Sequence, residues 1–170
     1  MSLSDRRVLP PRRRLLLVAG AALASSGCGF VLRQPPKLAF TRIAFTGFAP
    51  RSPMVEELKR QMGSGVQAVD AVTRAEVVLH AIDDQREKSV VASTAAAQVR
   101  EQQLRLKLVF RAHTPVGREL IPRTELTVSR DMNYSETAAL AKEREEAELF
   151  RDMHADIAAQ VLRRLASLVL

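Results

Sequence analysis

The sequence predicts an α+β domain, a two-layer sandwich in which a mostly antiparallel sheet of approximately four strands carries two helices on one face. Three observations predict it. Leu104, Leu106, Leu108 and Phe110 alternate with Arg105, Lys107, Val109 and Arg111, the period-two pattern of a strand with one buried and one wet, basic face. Leu149, Met153, Ile157, Val161, Leu165 and Leu168 recur at steps of four and three along a tail with no Pro or Gly, which makes one long amphipathic helix from Ser135 onward. Between these lies a hairpin signal, the Pro and Gly of "TPVGRE".

The remaining elements follow in chain order. "LAFTRIAFTGF" (38–48) is rich in β-branched and aromatic residues and reads as a first strand. Ser52 suits an N-cap with Pro53 at the first helical position; Val55, Leu58 and Met62 keep helical spacing, and Gly63 and Gly65 end the run. "VQAVD" is a brief strand, and a loop around Thr73 and Arg74 leads into the longer strand "AEVVLHAI". After the polar "DDQREK", "SVVAST" continues or resumes strand character, and the small-residue "TAAA" reads as a mobile loop. "ELTVSRDMNY" alternates again, with Leu126, Val128, Met132 and Tyr134 on one side and Glu125, Thr127, Ser129 and Asp131 on the other. Glu125 and Asp131 are placed to offset part of the basic face across the strands.

Ahead of the domain, residues 1–14 are polar and arginine-rich, and residues 15–27 are an uncharged run of Leu, Val, Ala, Gly and Ser. That is the layout of a signal peptide, and the run is shorter than the approximately 20 residues a spanning helix needs. Cys28, the one cysteine of the chain, follows immediately. Its position resembles a bacterial lipobox, in which Cys28 would become the acylated first residue carrying an N-acyl diglyceride, although Ser25 stands where Leu is usual. The alternative is a buried core cysteine. Several acyl chains together make a lasting anchor, at about 0.8 kcal/mol per buried methylene. Arg12, Arg13 and Arg14 fit either an ordinary basic leader or twin-arginine export. The expected organisation is therefore a signal peptide over 1–27, a lipidated N-terminus and linker with Pro35 and Pro36 over 28–37, and the sandwich domain over 38–170.

Composition narrows the function. The formal charge is +7, but five arginines and one acid precede Cys28, so residues 28–170 carry 21 basic against 18 acidic side chains. With no Trp and one Tyr, base stacking has little to work with, which argues against a nucleic-acid partner. His80, His113 and His154 have no metal-ligand spacing to one another or to Cys28. Asp152, His154 and Asp156 stand two apart on a helix, where they do not face each other, and read as solvent groups. Asp83 with Asp84, and Glu143 with Glu145 and Glu146, pair carboxylates with no sign of the cleft that acid–base chemistry requires. No Walker A, GxSxG or GxGxxG motif occurs. No catalytic residue, metal ligand or diffusible cofactor is expected. What remains is a set of cations, Arg105, Lys107, Arg111 and Arg123 with Arg100, Lys142 and Arg144 at element ends. They read as a solvated face or as a phosphate-recognition surface, for which a phosphorylated lipid or glycolipid is a better candidate than single-stranded nucleic acid.

The order of these parts resembles a known family. "CGFVLR" at the mature start, "ALAK" at Ala139–Lys142 followed by an acid, and the closing "AAQVLRRL" together resemble LptE, the lipopolysaccharide-assembly lipoproteins of Gram-negative outer membranes, over residues 28–168. The resemblance implies a non-enzymatic, lipid-anchored outer-membrane protein facing the periplasm. Such a protein plugs the LptD β-barrel, supports its assembly and binds lipopolysaccharide for delivery to the cell surface. It also implies that Lys142, the lysine of "ALAK", contacts lipopolysaccharide. The family's second basic contact lies in the loop before the second long strand; here Ala holds that place and Arg100, slightly downstream, is the substitute. Arg105 and Lys107 complete the expected lipopolysaccharide-binding set. Gly29 after the cysteine fits sorting to the outer membrane. The alternative is an envelope scaffold lipoprotein without glycolipid affinity.

Overall fold

The computed structural model describes residues 37–93 and 99–169. Cys28, the leader, most of the linker and the "TAAA" segment lie outside the described residues. Among the described residues the fold has five strands and two α-helices: β1 (Arg42–Thr46), α1 (Pro53–Met62), β2 (Gln67–Ala68), β3 (Val77–Ser93), β4 (Val99–His113), β5 (Glu119–Asn133) and α2 (Ala139–Ala166). The strands form one mixed sheet in the order β2-β1-β3-β4-β5. Both helices pack on one face of it, as expected from the sequence.

β1 is shorter than the run from Leu38 to Phe48, and it pairs parallel to both β2 and β3. A parallel neighbour needs a crossover, and α1 supplies the one between β1 and β2. Ser52 caps α1 as its sequence position implies: its Oγ accepts from the Met54 amide at 3.2 Å, and Pro53 takes the first helical position. Gly47, at the exit of β1, has φ +78, and a Cβ there would stand 2.1 Å from the Ala81 carbonyl oxygen, so only glycine fits this approach to β3.

The core is a single apolar layer between sheet and helices. Phe40, Ile43, Leu79, Leu104, Leu106, Leu108 and Phe110 meet Met54 and Leu58 of α1 and Met153, Ile157, Val161 and Leu165 of α2, all buried. The helix stripe and the strand alternation therefore bury the faces their periods imply. Leu149 and Leu168 pack at the margins of the layer. The outer sheet face is not wholly wet, because Val109 is buried there and Ala44, Ala75 and Val78 form a small second cluster under Val69 and Val72.

Two of the register shifts in the sheet bear most on which side chains face the helices. "DDQREK" does not interrupt β3, which runs unbroken from Val77 to Ser93. Its register against β4 slips by one residue between Ala81 and Asp83. Because side chains alternate with period two, one extra residue exchanges the faces. Val77, Leu79 and Ala81 face the helices before the slip. After it Asp84, Arg86 and Lys88 do, opposite Leu108, Leu106 and Leu104, while Asp83, Gln85 and Glu87 turn to the outer face. A second slip, between Phe110 and Ala112 on β4, accommodates Pro122 in β5. β5 is an edge strand, where a missing amide hydrogen is tolerated.

Candidate functional site

The slip in β3 creates a groove. Its floor is at Arg86 on the distal half of β3, and its walls are α1 on one side and the middle of α2, from Ala147 to His154, on the other. Pro53, Glu57 and Arg60 of α1, Arg86 of β3, and Phe150, Arg151 and His154 of α2 surround a cleft of about 530 Å³. A neighbouring hollow of about 430 Å³ shares Arg86, Ala147 and Phe150 and extends toward the α2 N-terminus, past Lys88, Glu143 and Glu146.

Local chemistry fixes this wall. Glu57 is only 5 % exposed and is held by Arg60 at 2.6 Å and by the Gln61 amide at 2.6 Å. The same Gln61 nitrogen donates to the Ala155 carbonyl at 3.0 Å, tying α1 to α2. Ser52 Oγ, besides capping α1, donates to Asp84 at 3.2 Å. Burial pushes the Asp84 carboxyl up from the ordinary aspartate range, with the Ser52 hydrogen bond and the nearby His154 and Arg86 opposing it. His154 Nδ1 lies 2.5 Å from the Phe150 carbonyl, which can only accept, so Nδ1 carries the proton. His154 is therefore not the solvent group its sequence position suggested. It is 5 % exposed, because the α2 face that carries Phe150 and Met153 is turned inward. Asp156 does stay half exposed and bonds Arg130 of β5 at 2.8 Å. Arg86 sits over the Phe150 ring, 5.2 Å from its centroid.

The four expected lipopolysaccharide-binding cations do not form one cluster. Lys142 lies in the first turn of α2, its side chain 21 % exposed and bonded to Glu145 at 2.7 Å. Arg105 and Lys107 lie on the opposite face of the sheet, because they alternate with the buried leucines of β4. There Lys107 meets Asp83 at 2.8 Å and Arg105 lies 3.8 Å from Glu87. The Asp83 hydrogen bond holds Lys107 above the ordinary lysine range. Their partners come chiefly from β3 rather than from the Glu125 and Asp131 pair expected on β5; Asp131 instead accepts from Gln103 at 3.0 Å. Arg100 is the second residue of β4, and its side chain lies outside the described residues. Sequence reasoning passed over Arg60, Arg86 and Arg151. Their positions come from three separate elements, and only the register slip turns Arg86 toward the helices.

His80 and His113 stand apart from this groove. His80 Nδ1 pairs with the Thr46 hydroxyl at 2.9 Å, and His113 Nδ1 lies 2.8 Å from the Thr114 carbonyl. Burial, with Arg111 and His113 nearby, pulls His80 below the ordinary histidine range. No group of three or more His, Cys, Asp or Glu among the described residues could hold a metal ion. Among the same residues no helix is long and apolar enough to cross a membrane.

A family model and a sequence relative point to one family, and solved structures share the fold. The family model described as "LptE: Lipopolysaccharide-assembly" matches residues 40–165. The LPS-assembly lipoprotein LptE of Pectobacterium atrosepticum is 30% identical over 164 residues, covering 92% of this chain and 88% of the relative. The solution structure of an uncharacterized lipoprotein B from Nitrosomonas europaea superposes with a TM-score of 0.68 at 25% identity, over 82% of this chain and 92% of that one. The crystal structure of the rare lipoprotein B from Shewanella oneidensis has the same fold, with a TM-score of 0.62 at 24% identity over 75% of this chain and 95% of that one. With all five strands, the "ALAK" turn and the helix stripe as far as Leu165 falling inside the matched span, the chain belongs to the LptE lipopolysaccharide-assembly family.

Proposed function

We propose that this protein is a lipid-anchored, non-enzymatic component of lipopolysaccharide assembly at the outer membrane. It is held there by an acylated Cys28 with its domain facing the periplasm and a barrel lumen. It plugs an LptD-like β-barrel, supports assembly of that barrel, and contacts lipopolysaccharide through Lys142. Family membership across residues 40–165 is the observation that carries this reading.

Two features of the domain support it. The outer face of the long hairpin is largely polar, with Lys107 paired to Asp83 and Arg105 beside Glu87, which suits a wet barrel interior rather than lipid. Arg105 and Lys107 accordingly belong to that wall and not to the same contact as Lys142. Lys142 keeps its ammonium at the surface with one carboxylate partner, Glu145. A surface ion pair of this kind is worth only about 0–1 kcal/mol, so an anionic ligand can displace it at little cost.

Lys142→Asp tests the glycolipid contact. The variant should melt within a few degrees of the parent, since the side chain is not part of the apolar core. Its affinity for lipopolysaccharide in a direct titration should fall about tenfold, on the scale of one lost charge-assisted contact. Unchanged affinity would remove Lys142 from the site.

A further inference from the structure

We infer that the cleft between α1, α2 and β3 is a second anion subsite, one that takes a phosphate group between Arg86 and Arg151, with Phe150 of α2 as its apolar wall. The inference rests on the lipopolysaccharide reading for the source of that phosphate and on the cleft itself for the chemistry.

The charge around the cleft is not balanced. Each lining carboxylate already has a donor: Glu57 is held by Arg60 and Gln61, and Glu56 by Lys59 at 3.4 Å. Asp84 below it accepts from Ser52 and is pushed toward its neutral form by burial. Glu146, in the adjoining hollow, is taken by Lys88 at 2.8 Å. Glu143 is exposed and lines only that hollow. Among the described residues neither Arg86 nor Arg151 enters an ion pair, so two guanidinium groups line one concave space without a carboxylate of their own.

The geometry also favours phosphate over a diffuse anion. The cation–π contact with Phe150 holds the Arg86 guanidinium at the cleft, which lowers the ordering cost of a two-point contact. A cleft of about 530 Å³ has room for a phosphate and the sugar or acyl segment joined to it. The adjoining hollow runs from Phe150 toward the α2 N-terminus, where Lys142 lies, so one amphiphile can reach both positions along the same helix. A phosphate monoester on a glycolipid, a phospholipid headgroup and free phosphate share this chemistry, and the experiment separates them.

The acylated full-length chain in detergent is titrated with lipopolysaccharide, with enzymatically dephosphorylated lipopolysaccharide, with anionic phospholipid micelles and with inorganic phosphate. The double variant R86Q/R151Q should bind lipopolysaccharide about tenfold more weakly and lose the parent's preference for the phosphorylated form. R151Q alone leaves the cation–π contact of Arg86 with Phe150 in place, so it reports even if the double variant folds poorly, and should lose roughly threefold. Equal affinity for lipopolysaccharide and for phospholipid alike, or an equal loss toward the dephosphorylated form, would overturn the subsite while leaving Lys142 untouched. If phospholipid binding shows the same Arg dependence and lipopolysaccharide binding does not, the subsite stands and its glycolipid source falls. Were the parent to bind no lipopolysaccharide at all, the proposed function would fail instead. The inorganic phosphate arm would then decide: shifts of the Arg86 and Arg151 side-chain Nε–H resonances, absent in the double variant, support the subsite, and their absence in the parent removes it.

Discussion

Ser52 shows how closely stability and site are joined at the scale of single residues. Its hydroxyl accepts from the Met54 amide to start α1 and donates to Asp84 on β3, so one side chain fixes the helix and the groove floor together. Asp84 bears the cost of that position. Its carboxyl is raised by burial, so the folded state holds the proton more tightly than the unfolded chain does. The contribution therefore favours folding below the ordinary aspartate value of 3.8 and is lost as pH rises through the raised folded value. Asp84→Asn keeps an acceptor for Ser52 and removes the charge. It should be more stable than the parent at neutral pH, with the difference closing as the pH falls below the ordinary carboxylate range. Thermal unfolding across that range checks this, and a constant difference at every pH would contradict the assignment to burial.

At the scale of elements, α2 divides into two halves with different work. From Leu149 to Leu165 its inner stripe packs against the core over β4 and β5, whereas from Ala139 to Glu148 it reaches past the core and carries Lys142 and Glu146 above the groove. Ile157→Ala should cost about 2–5 kcal/mol, the range for emptying a fully packed aliphatic site. Leu140→Ala, in the overhanging half and 76% exposed, should stay within about 0.5 kcal/mol. Urea unfolding of the two variants measures both, and similar losses would mean that the first half is packed against something else. β3 divides in the same way, and its division is what the sequence could not display. Val77 and Leu79 show their buried face by alternation, but the slip before Asp83 depends on pairing with β4. No local pattern tells which of Asp83 and Asp84, or Arg86 and Glu87, turns inward.

For the whole molecule, the long hairpin, the capped first helix and the C-terminal helix stripe were legible because each is a local period or a local cap. The parallel pairing of β1 with β2 and β3 was not, since it is set by the crossover through α1 rather than by residues within the strands. The burial of His154 escaped for a related reason: spacing along α2 cannot say how wide the buried face becomes once α1 packs beside it. The expected binding set mixed the two faces of the sheet, because a count of cations does not distinguish residues that alternate with Leu104–Phe110 from one on a helix on the other side. What spans both faces is the claim that the domain sits inside a barrel, its hairpin face toward a polar wall and its helix groove open to glycolipid. A tagged, acylated chain extracted in mild detergent and identified with its partners by mass spectrometry tests this most directly. The account predicts a large outer-membrane β-barrel protein in near-equal amount, and recovery of the chain without any barrel protein would contradict it.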